Sequence, residues 1–495
     1  ENTGAEYYAT VISFAESPLK SGVLWAGTDD GILQVSADAG KSWKNVIGSV
    51  PDLGPSSAVT HIEPSRTDER QVYVTFDRHM LDDLRPYIYR SSDGGNTWKN
   101  ISSNLPANAY VWVVKEDPKI ANMLYAGTEL GLFVSYDAGG TWTRLTLKNL
   151  PNVAVHDIVV HPRENDLILA THGRGLWILD DATPIQQLNP AAQKSDVILF
   201  DIRSAMRYTT RFTRYGIGDE NYTAPNPSYG ALISYYLKTK PDDKTKPKIE
   251  VYDDKGKKVA DVLNPAKEQG LNRVSWNLRY GGPLVRRPPT DEEEQFTGGP
   301  RGPQVLPGTY TVKLTLGDKS YEKRVEVRLD PTISVPTGDM QAQLDMLTKL
   351  RDMQSAANSE LRALDSLKGQ LDSVEKTVKD RLTDVPKDLS DKLAEQKKQV
   401  EALQNTLAAP EGELGVDGTS QLADRIGGLF FTVDSANAAP TPAMREEFGS
   451  LSSEFSKKMV EVNSYLAKTV PQLNALLRRN DAPTLMTGKP IELPK

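Results

Sequence analysis

The chain has 495 residues, of which 38% are hydrophobic and 25% charged, with a formal net charge of −7 and no cysteine. This length predicts roughly three domains, and the acidic balance argues against a nucleic-acid-binding protein, whose contact surface is basic. The lack of cysteine excludes disulfides and thiolate metal sites, no apolar run reaches the roughly 18 residues of a membrane span, and the residues after Glu1 are not typical of a signal peptide.

A turn motif, Ser-x-Asp-x-Gly-x-(Ser/Thr)-Trp, occurs in residues 36–43, 91–98 and 135–142. We call these segments the Asp turns. The Asp carboxylate can accept hydrogen bonds from N–H groups of its own loop, the Gly permits a positive φ, and the Trp opens the next strand with a large apolar surface. We assign structural roles to nine residues of these turns, with the Asp carboxylates on an outer rim and the Trp side chains in the core: Asp38, Gly40, Trp43, Asp93, Gly95, Trp98, Asp137, Gly139 and Trp142.

Residues 1–182 are predicted to form repeated β-sheet units of four strands. Runs rich in β-branched and aromatic residues define the units 7–46, 59–101 and 110–145, and a fourth, three-stranded unit at 155–179 has no Asp turn. The Asp turns start at 36, 91 and 135, so their spacings are 55 and 44 residues. These spacings are typical of the blades of a β-propeller.

The Asp turns, with Leu24-Trp-Ala-Gly-Thr-Asp-Asp-Gly31 and Thr171-His-Gly-Arg-Gly-Leu-Trp-Ile-Leu-Asp-Asp181, resemble the Asp-box (bacterial neuraminidase repeat) propeller proteins. That group includes sialidases, xyloglucanase-type glycosidases and sortilin receptors, and the chain is most similar to bacterial proteins described as sortilin-like or as glycosyl hydrolases. Such propellers usually have roughly six or more blades, and only about four are predicted here. We therefore expect this chain to be the C-terminal part of a larger propeller, with a closed ring of four blades as the alternative.

Two further domains are predicted after a linker at residues 183–195. Residues 196–330 again have the pattern of β-strands and resemble the immunoglobulin-like (Ig-like) β-sandwich of flagellar hook-capping proteins. Residues 283–303, which include Glu292, Glu293 and Glu294, are predicted to be a long exposed loop because they are rich in Pro and Gly.

Residues 336–480 are predicted to form an antiparallel helical bundle, because apolar residues recur every three or four positions. Breaks are expected at Pro386 and at 409–418, a short helix at 421–435, and an extended tail at 481–495. A bundle with its own core is one interpretation of the apolar stripes, and a coiled coil that binds a partner is the other.

Ionisable residues are concentrated in the loops between the second and third strands of the units, which we expect to lie on one face of the propeller. Paired carboxylates there could perform the acid–base chemistry of glycoside hydrolysis, and the cationic side chains could orient an anionic or hydroxyl-rich ligand. The candidate catalytic residues are Asp29, Asp30 and Asp77. The candidate ligand-binding residues are Arg78, His79, Asp82, Asp83, Glu129, His172 and Arg174. Structural roles in the turns are the alternative for all of them.

The sequence favours a secreted, periplasmic or envelope-associated bacterial protein that acts as a binding or assembly module. Its propeller face and Ig-like domain would contact a protein, a peptide or a glycan, and an upstream propeller segment or a separate chain is a further expected partner. A glycoside hydrolase is the alternative function, whereas sialidase activity is disfavoured because the Arg-Ile-Pro-type segment of that family is missing. No phosphate-binding Gly loop, zinc motif or nucleophile elbow occurs, so no cofactor and no metal are predicted.

Overall fold

A computed structural model of the chain describes residues 9–209, 226–242, 244–288, 300–381, 385–409 and 421–488. These residues form two compact units. The first unit extends to Asp201 and includes residues 234–240 and 268–272, and the second contains the remaining residues. No helix in the described ranges is both long and apolar enough to cross a membrane.

The first unit contains four antiparallel sheets that follow one another along the chain, each with its strands in chain order. Sheet 1 consists of β1 (Val11–Glu16), β2 (Leu24–Thr28), β3 (Leu33–Ser36) and β4 (Lys44–Asn45). Sheet 2 consists of β5 (Ala58–Pro64), β6 (Val72–Arg78), β7 (Asp83–Ser91) and β8 (Lys99–Asn100). Sheet 3 consists of β9 (Val111–Glu116), β10 (Leu124–Thr128), β11 (Gly131–Ser135) and β12 (Thr143–Arg144). Sheet 4 has only β13 (Val155–Val160), β14 (Leu167–Thr171) and β15 (Leu176–Leu179).

The first strands of successive sheets contact one another, β1 with β5, β5 with β9, and β9 with β13. Successive meander sheets whose first strands are adjacent are the arrangement of propeller blades, so the prediction of a β-propeller fold is confirmed. Between β13 and β1, in the part of the chain that the structure describes, no comparable contact exists.

Each Asp turn is organised by hydrogen bonds to its carboxylate. Ser36 Oγ and the Ser42 N–H donate to Asp38 Oδ1 at 2.8 and 2.9 Å, and Ser42 Oγ donates to Oδ2 at 2.6 Å. Asp93 and Asp137 accept the corresponding bonds in their own turns. Because these donors stabilise the ionised carboxylates, the pKa values of Asp38 and Asp93 fall to about 2.

The three Trp residues of the Asp turns are not equally buried, although we expected all of them in the core. Trp98 and Trp142 are 7% and 4% exposed, whereas Trp43 is 39% exposed. Both buried rings contact the preceding sheet: Trp98 lies edge-on to Trp25 with centroids 6.2 Å apart, and Trp142 Nε1 donates to Ile101 O at 2.7 Å. Trp43 belongs to the first sheet and has no such neighbour in the described residues.

Residues 183–195, the expected linker, contain the short helix α1 (Thr183–Gln187) and a 3-10 turn at Ala192–Lys194. Ile185 packs into the core beneath sheets 3 and 4, and Gln186 donates to Asp117 Oδ2 at 2.8 Å. This segment is therefore anchored to the first unit.

Two further sheets follow. One has the order β16 (Val197–Leu199), β18 (Ala231–Leu237) and β21 (Gly270–Trp276). The other has the order β17 (Ala205–Arg207), β23 (Lys319–Leu329), β22 (Gly308–Leu316), β19 (Lys248–Tyr252) and β20 (Lys258–Val262), with β17 parallel to β23. The Ig-like sandwich stays a prediction, and Glu292–Glu294 lie outside the described residues.

The predicted helices are present in the second unit. They are α2 (Thr337–Arg381), α3 (Lys387–Leu407), α4 (Leu422–Asp434), α5 (Pro442–Ser464) and α6 (Val470–Arg479), with one π-helical turn (Tyr465–Thr469) between the last two. Their apolar stripes pack into one continuous core. Leu485 is also buried in this core, so at least that residue of the expected tail packs on the helices.

Glu360 of α2 is completely buried, and neither carboxylate oxygen has a hydrogen-bond partner among the described residues. Burial disfavours the charged form and raises its pKa from 4.5 to about 7. Because the folded-state pKa exceeds the unfolded value, the folded protein loses stability as pH rises from 4.5 through 7.

We therefore predict that Glu360→Gln stabilises the protein at pH 8 by about 1–3 kcal/mol and has little effect at pH 4.5. Urea unfolding followed by circular dichroism at both pH values measures this difference. Glu375→Gln on the same helix is a control of opposite sign, because Lys379 and Lys397 lower the pKa of Glu375 to about 2. Equal effects of Glu360→Gln at both pH values would contradict the prediction.

Candidate functional site

The first strand of each of sheets 1 to 4 contains one extra residue at the same register position. The pairing shifts between Val11 and Ser13 in β1, and the corresponding shifts occur in β5, β9 and β13. Such a β-bulge leaves one residue unpaired and redirects its side chain. The four bulge residues are Ile12, Thr60, Trp112 and His156.

A second set of equivalent residues follows the end of the second-strand pairing. Glu129 N–H donates to Tyr110 O at 3.0 Å, and His172 N–H donates to Ala154 O at 3.0 Å. Asp29 N–H makes the same bond to Thr10 O in sheet 1. In sheet 2 the register places Asp77 at this position, opposite Ala58. The bulge residues and these loop residues therefore lie at the same edge of their sheets.

At this edge five rings from sheets 2, 3 and 4 form a continuous series. His79 stacks on Tyr110 with centroids 4.9 Å apart, and Tyr110 meets Trp112 at 5.6 Å. Trp112 lies 4.1 Å from His156, which lies 4.8 Å from His172. We call His79, Tyr110, Trp112, His156 and His172 the aromatic ladder. None of them belongs to the apolar clusters between the sheets.

Two carboxylates hold the ladder in place. Asp77 is buried, accepts the His79 N–H at 3.0 Å and is hydrogen-bonded to His79 Nδ1. Glu129 accepts from Trp112 Nε1 at 3.2 Å. Burial and the hydrogen bond to Glu129 raise the pKa of Tyr110 to about 12, so its hydroxyl stays protonated at neutral pH and can donate to that carboxylate.

The imidazole of His156 has an unsatisfied nitrogen. Its Nε2 atom is buried and has no hydrogen-bond partner among the described residues. Burial and the neighbouring His172 lower its pKa below 6.5. His156 is therefore neutral at pH 7 and offers either a donor or an acceptor to a ligand.

The structure places the other predicted site residues elsewhere. Asp29 Oδ1 accepts the Thr10 N–H at 2.9 Å, and Asp30 is hydrogen-bonded to the Thr28 hydroxyl. Both belong to sheet 1, which contributes no ring to the ladder.

The loop after β6 contains an ion-pair network. Arg78 Nε donates to Asp83 at 3.1 Å and Arg78 Nη1 to Ser57 Oγ at 2.7 Å. Arg85, Tyr87 and Arg78 all donate to Asp83, which lowers the pKa of that carboxyl. Asp82 has a φ of 60° and caps the 3-10 turn His79–Leu81. These contacts stabilise the conformation of the loop itself.

Arg174 lies in the exposed loop between β14 and β15, where its carbonyl accepts from Trp177 Nε1 at 3.0 Å. No group of three or more potential metal-ligating side chains occurs within the described ranges.

Sequence reasoning identified the loop residues Asp77, His79, Glu129 and His172, but it missed Tyr110, Trp112 and His156. Trp112 and His156 lie in first strands and Tyr110 directly precedes one, so they were interpreted as ordinary residues of a strand. Aligning the four first strands shows that residues 10–12, 58–60, 110–112 and 154–156 each have Val in the middle. The residues directly before and after that Val vary from sheet to sheet. This variation around a repeated Val was the signal that could have identified the missed residues.

The chain was compared with known proteins. The family model of sortilin, neurotensin receptor 3, matches residues 86–189, which include part of sheet 2 and all of sheets 3 and 4. A search of curated proteins gave no significant match.

Several propeller-type structures are similar at low identity. YCF48 from Cyanidioschyzon merolae is 15% identical (TM-score 0.25), with 36% of this chain and 57% of that one covered. The GH74 enzyme of Niastella koreensis is 12% identical (TM-score 0.27), with 68% of this chain and 40% of that one covered. An auxiliary nutrient-binding protein from Bacteroides thetaiotaomicron is 12% identical (TM-score 0.26), with 62% of this chain and 66% of that one covered. This chain spans less than two thirds of each of these structures. Similarity this low transfers no activity, so function has to be argued from the site.

We predict that His172→Ala raises the pKa of His156, because it removes the neighbouring imidazole that disfavours the second positive charge. The pKa of His156 in the unaltered protein and in His172→Ala can be measured by NMR titration of the ring protons. In the unaltered protein His156 should titrate below 6.5. His61→Ala is the control, since no ring contact links it to the ladder in the described residues. An unchanged His156 pKa in His172→Ala would disprove the coupling.

Proposed function

We propose that this chain is a binding and assembly module, secreted or attached to the bacterial envelope, whose aromatic ladder receives a glycan or protein ligand. The observation that carries the proposal is the series of five rings at one edge of three sheets, fixed by Asp77 and Glu129.

The ladder is not required for the core of the propeller. Tyr110, Trp112 and His156 are only half-buried, and the inter-sheet clusters are complete without them. Rings in partial contact with solvent gain apolar burial when a ligand covers them. Glu129 and the His nitrogens add hydrogen-bonding groups that fix the ligand's orientation.

Both ligand classes suit this chemistry, since a sugar ring and an apolar side chain each offer a face to an aromatic ring and polar groups to a carboxylate. The bulges support the proposal because they turn Trp112 and His156 out of the strand pairing and into the ladder. A β-bulge next to a binding site commonly redirects a side chain in this way.

We predict that Trp112→Ala weakens ligand binding roughly tenfold to a hundredfold, as expected when a large apolar contact worth about 1.5–3 kcal/mol is lost. Binding is measured by calorimetry with ligands from a panel of oligosaccharides and extended peptides. The matched control is Trp43→Ala, which removes an exposed Trp from the outer rim. Equal affinities of Trp112→Ala and the unaltered protein would overturn the proposal.

Glycoside hydrolysis is the second candidate, favoured by the two carboxylates, Asp77 and Glu129, that flank the rings. Hydrolysis requires one carboxyl as acid and a second as base or nucleophile, whereas Asp77 and Glu129 already accept hydrogen bonds from His79 and Trp112. This engagement supports binding over turnover.

For that reason we predict no release of reducing sugars from the polysaccharides that the chain binds. If release is observed, its loss in Asp77→Asn would support the enzyme, and its loss in Asp29→Asn or Asp30→Asn would place the chemistry on sheet 1. If a polysaccharide is bound but not hydrolysed, the result supports a binding module.

A further inference from the structure

The four sheets can be compared residue by residue because their pairing registers coincide. In the first strand Phe14, Ile62, Val114 and Ile158 occupy the same position, opposite Ala26, Val74, Ala126 and Leu169 respectively. Ile62, Val114 and Ile158 are buried against the preceding sheet, whereas Phe14 is 61% exposed. We call the side that faces the preceding sheet the leading face.

The opposite side, the trailing face, packs on the following sheet. In the third strand Leu33, Ile88, Leu132 and Leu176 occupy the same position. The first three are completely or almost completely buried, whereas Leu176 of sheet 4 is 71% exposed. Val159 and Ile178 on the same face are exposed too, so sheet 4 presents an apolar trailing face to solvent.

Each of the three junctions between sheets has an aromatic residue at one particular register position on either side. Trp25 and Tyr89 belong to one apolar cluster, Tyr73 and Phe133 to a second, and Tyr125 and Trp177 to a third. The trailing-face members Trp25, Tyr73 and Tyr125 occupy one register position, and the leading-face members occupy another.

The two free faces depart from this rule. The aromatic position of the trailing face holds Ile168 in sheet 4, and that of the leading face holds Gln34 in sheet 1. A contact between sheet 4 and sheet 1 would place Ile168 and Gln34 at these two positions, so neither position would hold the aromatic residue found in the three existing junctions. This argues equally against a ring closed on these four sheets and against a second copy of the chain joined end to end.

We propose that the trailing face of sheet 4 is an interface for a further propeller sheet, contributed by a polypeptide segment outside this chain. The occupant would present an apolar leading face with a large side chain that fills the space above Ile168. By continuity with the three existing junctions, Leu176 would then be buried as its equivalents Leu33, Ile88 and Leu132 are. This interface is separate from the aromatic ladder and does not depend on the identity of its ligand.

The chain has no cysteine, so a single introduced thiol can report the neighbour of this face. The Ile178→Cys protein is produced in its natural host, so that it assembles with its usual partners, and its thiol is labelled with a short photo-crosslinker. The peptides that crosslink to it are then sequenced. Leu19→Cys, an exposed apolar position in the loop between β1 and β2, is the matched control. We expect Ile178→Cys, but not Leu19→Cys, to crosslink to a segment that has four-strand repeats with Ser-x-Asp-x-Gly-x-(Ser/Thr)-Trp turns and lies outside residues 1–495.

Other outcomes overturn the proposal. A crosslink to any peptide of this chain would mean ring closure or self-association. A crosslink to a protein without such repeats would mean a different kind of partner. A particle of 54.6 kDa without a crosslink would mean that the face is free. Trp112→Ala, which tests the ligand site, is expected to leave the Ile178→Cys crosslink unchanged, so the two proposals fail independently.

Charge placed on the face provides a second measurement. Leu176→Glu should remove the additional segment from the protein, as measured by native mass, because an unpaired carboxylate would have to be buried where the existing junctions bury Leu33, Ile88 and Leu132. Leu19→Glu should leave the assembly intact. An unchanged mass in Leu176→Glu would contradict the proposed contact.

Discussion

Every sheet of the first unit depends on apolar contact with a neighbouring sheet. Each sheet has two apolar faces, and the large residues on them, such as Trp25 and Tyr125, are buried only because the next sheet covers them. Hydrogen bonds within a sheet set the register, but the free energy of burying these side chains between sheets holds the blades together. The exposed Trp43, Phe14 and Leu176 have one common cause, since each faces a side where no neighbouring sheet is described.

The hydrogen-bonded turns and the apolar junctions have different roles. The carboxylate of an Asp turn finds its hydrogen-bond donors within the same eight residues, so the turn can be recognised from local sequence. A junction joins side chains from strands that lie far apart along the chain, as with Trp25 and Tyr89. The turns therefore fix where each blade ends, and the junctions fix how many neighbours it needs.

This difference explains what could be predicted from the sequence. The sheets, the Asp turns and the helices follow from local patterns, such as the spacing of Asp38, Asp93 and Asp137 and the apolar periodicity of α2. The gathering of Asp77, Glu129 and His172 at one edge followed from the order of strands in a blade. Trp112, His156 and the adjacent Tyr110 were not assigned to a site in advance, because a β-bulge is a shift in register that leaves no motif in a single strand and becomes visible only when the four first strands are aligned. The unequal burial of Trp43 was also unpredictable, because it depends on a neighbouring sheet rather than on the turn.

The bulge in each first strand has a consequence for how such a fold diversifies. Ile12, Thr60, Trp112 and His156 stand at one backbone position, outside the strand pairing and outside the inter-sheet core. Under the proposed function, a substitution there changes the chemistry that faces the ligand without altering the pairing of the strands, because these residues already lie outside that pairing. Under the proposed function, the bulge residues of neighbouring blades together determine which ligand is bound. A new specificity can then arise by substituting one bulge residue at a time.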